Sequence, residues 1–130
     1  MNHKELTVWK VSMELIVDTY NFTGTLPKKE LYGFTSQMNR CALSISSNIA
    51  EGAARGTTKD YIRFLYNSMS SATELETQYL ATQMIPIAKE NIQLHEKIIS
   101  VIKMLYNLIR SLKRKISPQF PSMLNSKFNS

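Results

Sequence analysis

Apolar residues recur at steps of three and four along most of this chain, and the rhythm is punctuated at three places: between Gly24 and Pro27, at Gly56, and at Pro86. That spacing keeps side chains on one face of a helix, so the chain divides into four long helical segments joined by short connections. With only four Gly and four Pro in 130 residues, it has too few turn formers for a fold of many short strands.

The first segment carries Leu6, Trp9, Met13, Ile16 and Tyr20 as its expected core stripe. The second starts at Pro27, which suits a first helical turn because its missing N–H is not needed there. Its apolar set is Leu31, Phe34, Met38, Cys41, Ala42, Ile45 and Ile49, and it is expected to stop near Gly56, which can take the left-handed terminal conformation. Thr57 and Asp60 have the spacing of an N-cap and its partner, which predicts a third helix over residues 58–84. Its inward face reads Tyr61, Leu65, Ser68, Ala72, Leu75 and Tyr79. The fourth runs from Glu90 to Lys115 through Ile98, Val101, Ile102, Leu105, Leu108, Ile109 and Leu112. A face this wide exceeds the roughly 100° that one core contact needs, and is expected to bury a second surface, within the bundle or against another subunit. Phe120, Met123, Leu124 and Phe128 follow at no helical spacing and read as a tail.

Short connections between long helices make neighbours antiparallel. The expected fold is all-α: an antiparallel up-down-up-down four-helix bundle over residues 1–115, with a short irregular C-terminal tail over residues 116–130. A chain of this length holds one core.

Charge is unevenly placed. Residues 1–84 hold eight basic and eight acidic side chains, whereas residues 85–130 hold eight basic against two acidic. The excess is concentrated in Lys103, Arg110, Lys113, Arg114 and Lys115, which points to a polyanion or an acidic protein surface as partner. Basic residues in a final turn also complement the helix dipole without any partner, and both readings stand. A lone cysteine, Cys41, excludes an intrachain disulfide, fits a reducing cytoplasmic compartment, and reads as a small core residue. Charged residues interrupt the first twenty positions and every later hydrophobic run, so neither a signal peptide nor a membrane span is expected.

The second segment has a polar stripe beside its apolar one: Gln37, Arg40, Ser44, Asn48, Glu51 and Arg55 share a face. Serine and asparagine are poor interior helix formers, so their presence implies specific packing and not an ordinary wet surface. Folding the chain back near residues 56 and 57 brings position i close to position 113 minus i. That register pairs Arg40 with Glu74, both partly buried, and adds Ser71 to a polar network.

The chain resembles the bacterial four-helix-bundle proteins encoded in intervening sequences of 23S ribosomal RNA genes, and the related accessory variability proteins of diversity-generating retroelements. The resemblance rests on Val8-Trp9-Lys10, Pro27-Lys28-Lys29-Glu30, Gln37-Met38-Asn39-Arg40, and above all on Ser44-Ile45-Ser46-Ser47-Asn48-Ile49-Ala50-Glu51-Gly52 with Arg55. Arg63-Phe64-Leu65-Tyr66 and Glu74-Leu75-Glu76-Thr77 add to it, while Ser70-Ser71 stands where a Gly-Ser pair is usual and the customary Gly after the third helix is missing around residues 84–86. The resemblance implies a homopentamer without known catalytic activity; the retroelement members bind nucleic acid and a reverse transcriptase through positive surface.

No enzyme, cofactor or metal site is expected. The two histidines, His3 and His95, are far apart in sequence, His95-Glu96 lacks the second histidine of a zinc helix, and the glycines at 24, 33, 52 and 56 form no phosphate loop. Glu51 and Glu74, a conceivable acid and base pair, each have an arginine nearby and read as ion pairs. The expectation is a self-associating binding protein, a pentamer as the resemblance implies, that takes RNA or DNA on the basic end of its fourth helix. The alternative is a scaffold that docks an acidic or apolar partner protein; no membrane and no small-molecule substrate enter either reading.

Overall fold

The computed structural model describes residues 2–117. Four α-helices account for most of them: α1 (Thr7–Thr23), α2 (Ser36–Ala53), α3 (Thr58–Met84) and α4 (Ile92–Ile116), with no strand among the described residues. Of the expected tail, Ile116 closes α4 and residues 118–130 lie outside the described residues.

Local chemistry sets the helix starts. Thr57 Oγ1 accepts the backbone N–H of Asp60 at 3.1 Å, and Asn91 Oδ1 accepts that of Leu94 at 3.0 Å. Each side chain satisfies a donor that the first turn of a helix leaves without a partner. The entry to α2 differs from expectation. Pro27 precedes a 3-10 turn, Lys28–Glu30, and then a π-type segment, Leu31–Thr35, in which Gly33 leaves helical geometry (φ −110°, ψ −109°). Regular helix begins only at Ser36, so Leu31 is exposed and Phe34 packs from outside the helix proper. At the other end α2 stops at Ala53, and Gly56 has no left-handed role because no glycine has positive φ.

The core runs the length of the molecule. α2 contributes Met38, Cys41, Ala42, Ile45 and Ile49, α3 contributes Tyr61, Leu65, Ala72, Leu75 and Tyr79, and α4 contributes Leu94, Ile98, Val101, Leu105, Ile109 and Leu112, all buried. Ile102 and Leu108 pack against this core at its edge, which accounts for part of the wide face of α4.

α1 is rotated from its expected setting. Its buried face is Val8, Ser12, Leu15, Thr19 and Phe22, whereas Met13 is 40% exposed, Val17 60% and Tyr20 47%, with Leu6, Trp9 and Ile16 only partly covered. Ser12 and Thr23 replace bulky apolar residues at the contact because they bond across it or to backbone, whereas the buried Thr19 Oγ1 has no hydrogen-bond partner. Ser12 Oγ donates to Trp9 O at 2.6 Å and accepts from Ser46 Oγ at 2.9 Å, and Thr23 Oγ1 donates to Asn39 Oδ1 at 2.9 Å. A hydroxyl with a partner costs little to bury, and its size allows close helix approach.

Contacts between successive helices follow a consistent order. From α2 to α3, Gly52 meets Tyr61, Ile45 O accepts from Ser68 Oγ at 2.8 Å, Ser44 bonds Ser71 at 2.9 Å, and Cys41 reaches Glu74 at 3.1 Å. Partner numbers rise in α3 as they fall in α2. α3 meets α4 through Tyr66 and Lys113 and, farther along, Glu76 and His95, and Lys97 of α4 reaches Asp18 and Glu14 of α1.

Candidate nucleic-acid interface

The basic end of α4 arises from its two-sided pattern. With Leu105, Ile109 and Leu112 turned to the core, Lys103, Arg110 and Arg114 fall together on the opposite side of the helix. Lys103, Arg114 and Lys115 are exposed, and Arg110 is half-buried with its Nε covered and without a hydrogen-bond partner. Lys113 is half-buried: its Nζ donates to Tyr66 Oη at 2.6 Å and lies 4.9 Å from the centre of that ring. No carboxylate side chain follows Glu96 in the chain, so nothing on the last five turns of α4 offsets these cations.

The polar stripe of α2 is drawn together differently from the expected network. Arg40 and Glu74 do not pair. Both are exposed: the Arg40 guanidinium donates to Gln37 Oε1 at 2.6 Å, one turn back on the same helix, and Glu74 accepts the Cys41 thiol at 3.1 Å. Ile45 with Ser68 and Gly52 with Tyr61 keep the simple fold-back, but it is the inward-facing Cys41, and not its exposed neighbour Arg40, that reaches Glu74. Ser44 does bond Ser71, and Asn48 Nδ2 donates to Ser44 O at 2.9 Å and Ser44 Oγ at 3.1 Å. Glu51 and Arg55 form an exposed ion pair at 3.3 Å.

Cys41 is thus more than a space filler. Burial first, then the bond to the Glu74 carboxylate and its negative charge, push the thiol up to about 12, so it stays protonated and donates. A thiol so placed is not a nucleophile at neutral pH.

The Ser44-to-Gly52 motif is explained by these contacts. Ile45 and Ile49 fill the core, Ser44 and Ser46 bond to α3 and α1 respectively, and Gly52 sits against Tyr61 and Phe64 so closely that an added Cβ would lie 2.9 Å from both side chains. The motif packs one helix between two others.

Pairing by sequence spacing missed the half-buried contact of His95 Nε2 with Glu76 Oε2 at 2.8 Å, beside a stacked Tyr79 ring. It also missed Lys97, which donates to Asp18 Oδ2 at 2.6 Å and lies 3.5 Å from Glu14. The hydrogen bond to Asp18 chiefly raises the Lys97 pKa, against a smaller opposing effect of burial. Among the described residues no group of three or more His, Cys, Asp or Glu side chains is arranged to hold a metal ion, and no helix is long and apolar enough to cross a membrane.

No curated protein matches the chain significantly. A family model described as 23S rRNA-intervening sequence protein matches residues 4–107, which takes in all of α1, α2 and α3 and most of α4. The chain belongs to the family of 23S rRNA-intervening sequence proteins.

Proposed function

We propose that this chain is a non-enzymatic, self-associating binding protein of the cytoplasm that takes RNA or DNA on the basic end of α4. The observation that carries the reading is the exposed set Lys103, Arg114 and Lys115, continued by half-buried Arg110, on a stretch of helix without a single carboxylate. Such a surface attracts phosphates through counterion release, and repetition around an oligomer multiplies a weak single contact. The bundle is up-down-up-down with antiparallel neighbours; the opposed numbering of the α2–α3 and α3–α4 contacts supports that arrangement.

Self-association is supported by the outward stripe of α1, where Met13, Val17 and Tyr20 expose apolar surface beside Trp9 and Ile16. A ring of copies, a pentamer by family likeness, covers it. The same stripe equally favours docking of another protein, which is the second reading.

Light scattering and a binding titration test both parts. The expected results are a mass several times that of one chain at micromolar concentration, and RNA binding that falls steeply with salt. Lys103→Glu, Arg110→Glu and Arg114→Glu together should abolish binding while helical circular dichroism is kept. A monomer refutes self-association; retained binding by the triple variant refutes the α4 surface. Salt-insensitive capture of one acidic or apolar protein, with no RNA binding, favours the scaffold reading.

A further inference from the structure

The positive surface at this end of the bundle is wider than α4. Arg55 just beyond α2 and Arg63 in α3 both lie over the Phe64 ring, their guanidinium carbons 4.6 Å and 4.5 Å from its centre. Lys59, Arg63 and Tyr66 follow one another at steps of four and three, so they form one stripe on α3. The bond from Lys113 to Tyr66 fastens that stripe to the last turn of α4. Arg55, Lys59 and Arg63 therefore stand at the same end of the molecule as Lys113, Arg114 and Lys115.

Two carboxylates, Glu51 and Asp60, stand beside the arginines of this region. Glu51 pairs with Arg55 at 3.3 Å and Asp60 with Arg63 at 3.6 Å, and all four side chains are about half exposed. Exposed pairs of this kind are held weakly, so either arginine can exchange its carboxylate for a phosphate at small cost.

We propose that Arg55, Lys59 and Arg63 join the end of α4 in one surface that holds a nucleic-acid phosphodiester backbone and does not read bases; this rests on the nucleic-acid function proposed above. Three features carry it. Cations from the α2–α3 connection, α3 and α4 converge where α4 alone offers a single row, which matches a chain of phosphates better than a point ligand. The arginine forks are held against Phe64, so less freedom is lost when each forms paired bonds to phosphate oxygens. The buried Phe64 ring is occupied by two guanidiniums, and stacking on a base needs a ring face that is open. Electrostatic grip without stacking favours the outside of a double helix over splayed single strands.

Fluorescence anisotropy with a labelled duplex of about 20 base pairs, read across a salt series, tests this for the full chain, Lys59→Gln with Arg63→Gln, and Lys103→Gln with Arg114→Gln. Both double variants should weaken binding, and the slope of log affinity against log salt should fall by about 0.9 for each cation removed. Duplexes rich in A·T and in G·C should bind within about threefold of one another, because phosphate contacts carry no sequence information. If the α3 variant keeps the parent affinity and slope while the α4 variant loses them, the surface is confined to α4 and the inference fails with the nucleic-acid function intact. If the unaltered chain does not bind any duplex or single strand at low salt, the nucleic-acid function itself fails. A sequence preference above about tenfold overturns the backbone-only part. Lys59→Gln alone leaves the Phe64 contacts in place, and its slope decides the matter where Arg63→Gln disturbs packing.

Discussion

Gly52→Ala places one methyl group where α2 and α3 come closest. Its Cβ would lie 2.9 Å from Phe64 Cβ, 2.9 Å from Tyr61 Cδ1 and 3.2 Å from Tyr61 O. Phe64 Cβ and the Tyr61 carbonyl belong to or adjoin the α3 backbone, so rotating a side chain does not relieve the clash; the helices must separate by several tenths of an ångström. Overpacking of this kind costs about 1 to 3 kcal/mol. The gain in helix propensity from Gly to Ala returns about 0.5 to 1 kcal/mol. The net expectation is a loss of up to about 2.5 kcal/mol, read as a lower urea midpoint at unchanged slope. Gly56→Ala is the matched control: nothing lies within 4 Å of its added Cβ and its φ is not positive, so reduced freedom of the unfolded chain should stabilise by up to about 1 kcal/mol. If Gly52→Ala melts at or above the parent, or moves in the same direction as Gly56→Ala, the close approach of α2 and α3 is not what that glycine provides.

Arg40→Leu should change stability by less than about 1 kcal/mol, because Arg40 is exposed and bonds only to Gln37 one turn away; a loss of several kcal/mol in urea melts would restore the buried pair with Glu74. Cys41 should resist a thiol reagent at about pH 8 in the native protein and react at once in denaturant, since burial and Glu74 keep it protonated. Native reaction at the rate of a free thiol refutes that placement. Asp18→Asn should reduce the alkaline dependence contributed by Lys97, leaving the smaller part due to Glu14. The folded pKa of Lys97 is raised, so its contribution to stability is fully present below the unfolded value and is lost as pH rises through the folded one. The difference between parent and variant urea midpoints should therefore be constant near neutrality and shrink in strong alkali; a difference that grows with pH is the contrary result.

Much of this architecture is legible because one signal dominates it. The α3 face of Tyr61, Leu65, Ser68, Ala72, Leu75 and Tyr79 lies inside as its spacing demands, and Thr57 caps the helix where hydroxyl and aspartate stand three apart. α1 misleads because it carries two stripes at the same spacing. Choosing the bulkier set ignores that Ser12 and Thr23 can be buried once Ser46 and Asn39 supply partners, and those partners lie on another helix. Cys41 takes the place expected of Arg40 beside Glu74 because Cys41 faces inward and Arg40 outward: helix contacts depend on where each side chain reaches and not on residue count alone. The cations at the α2–α3 junction were individually visible as residues. Their union with the end of α4 shows only in the fold, where Tyr66 meets Lys113 across a long stretch of sequence.

The small hydroxyls on the inner face of α1 have a further consequence for motion. Val8, Leu15 and Phe22 are its buried apolar residues, whereas α4 presses six large ones into the core. Less apolar area holds α1 in place, so it should open before the rest, its amides exchanging with deuterium through a partial unfolding that leaves α3 and α4 intact. The stripe bearing Met13, Val17 and Tyr20 rides on that same helix. Any partner that covers the stripe binds only the docked form of α1, and its arrival would appear as slowed amide exchange along Thr7–Thr23.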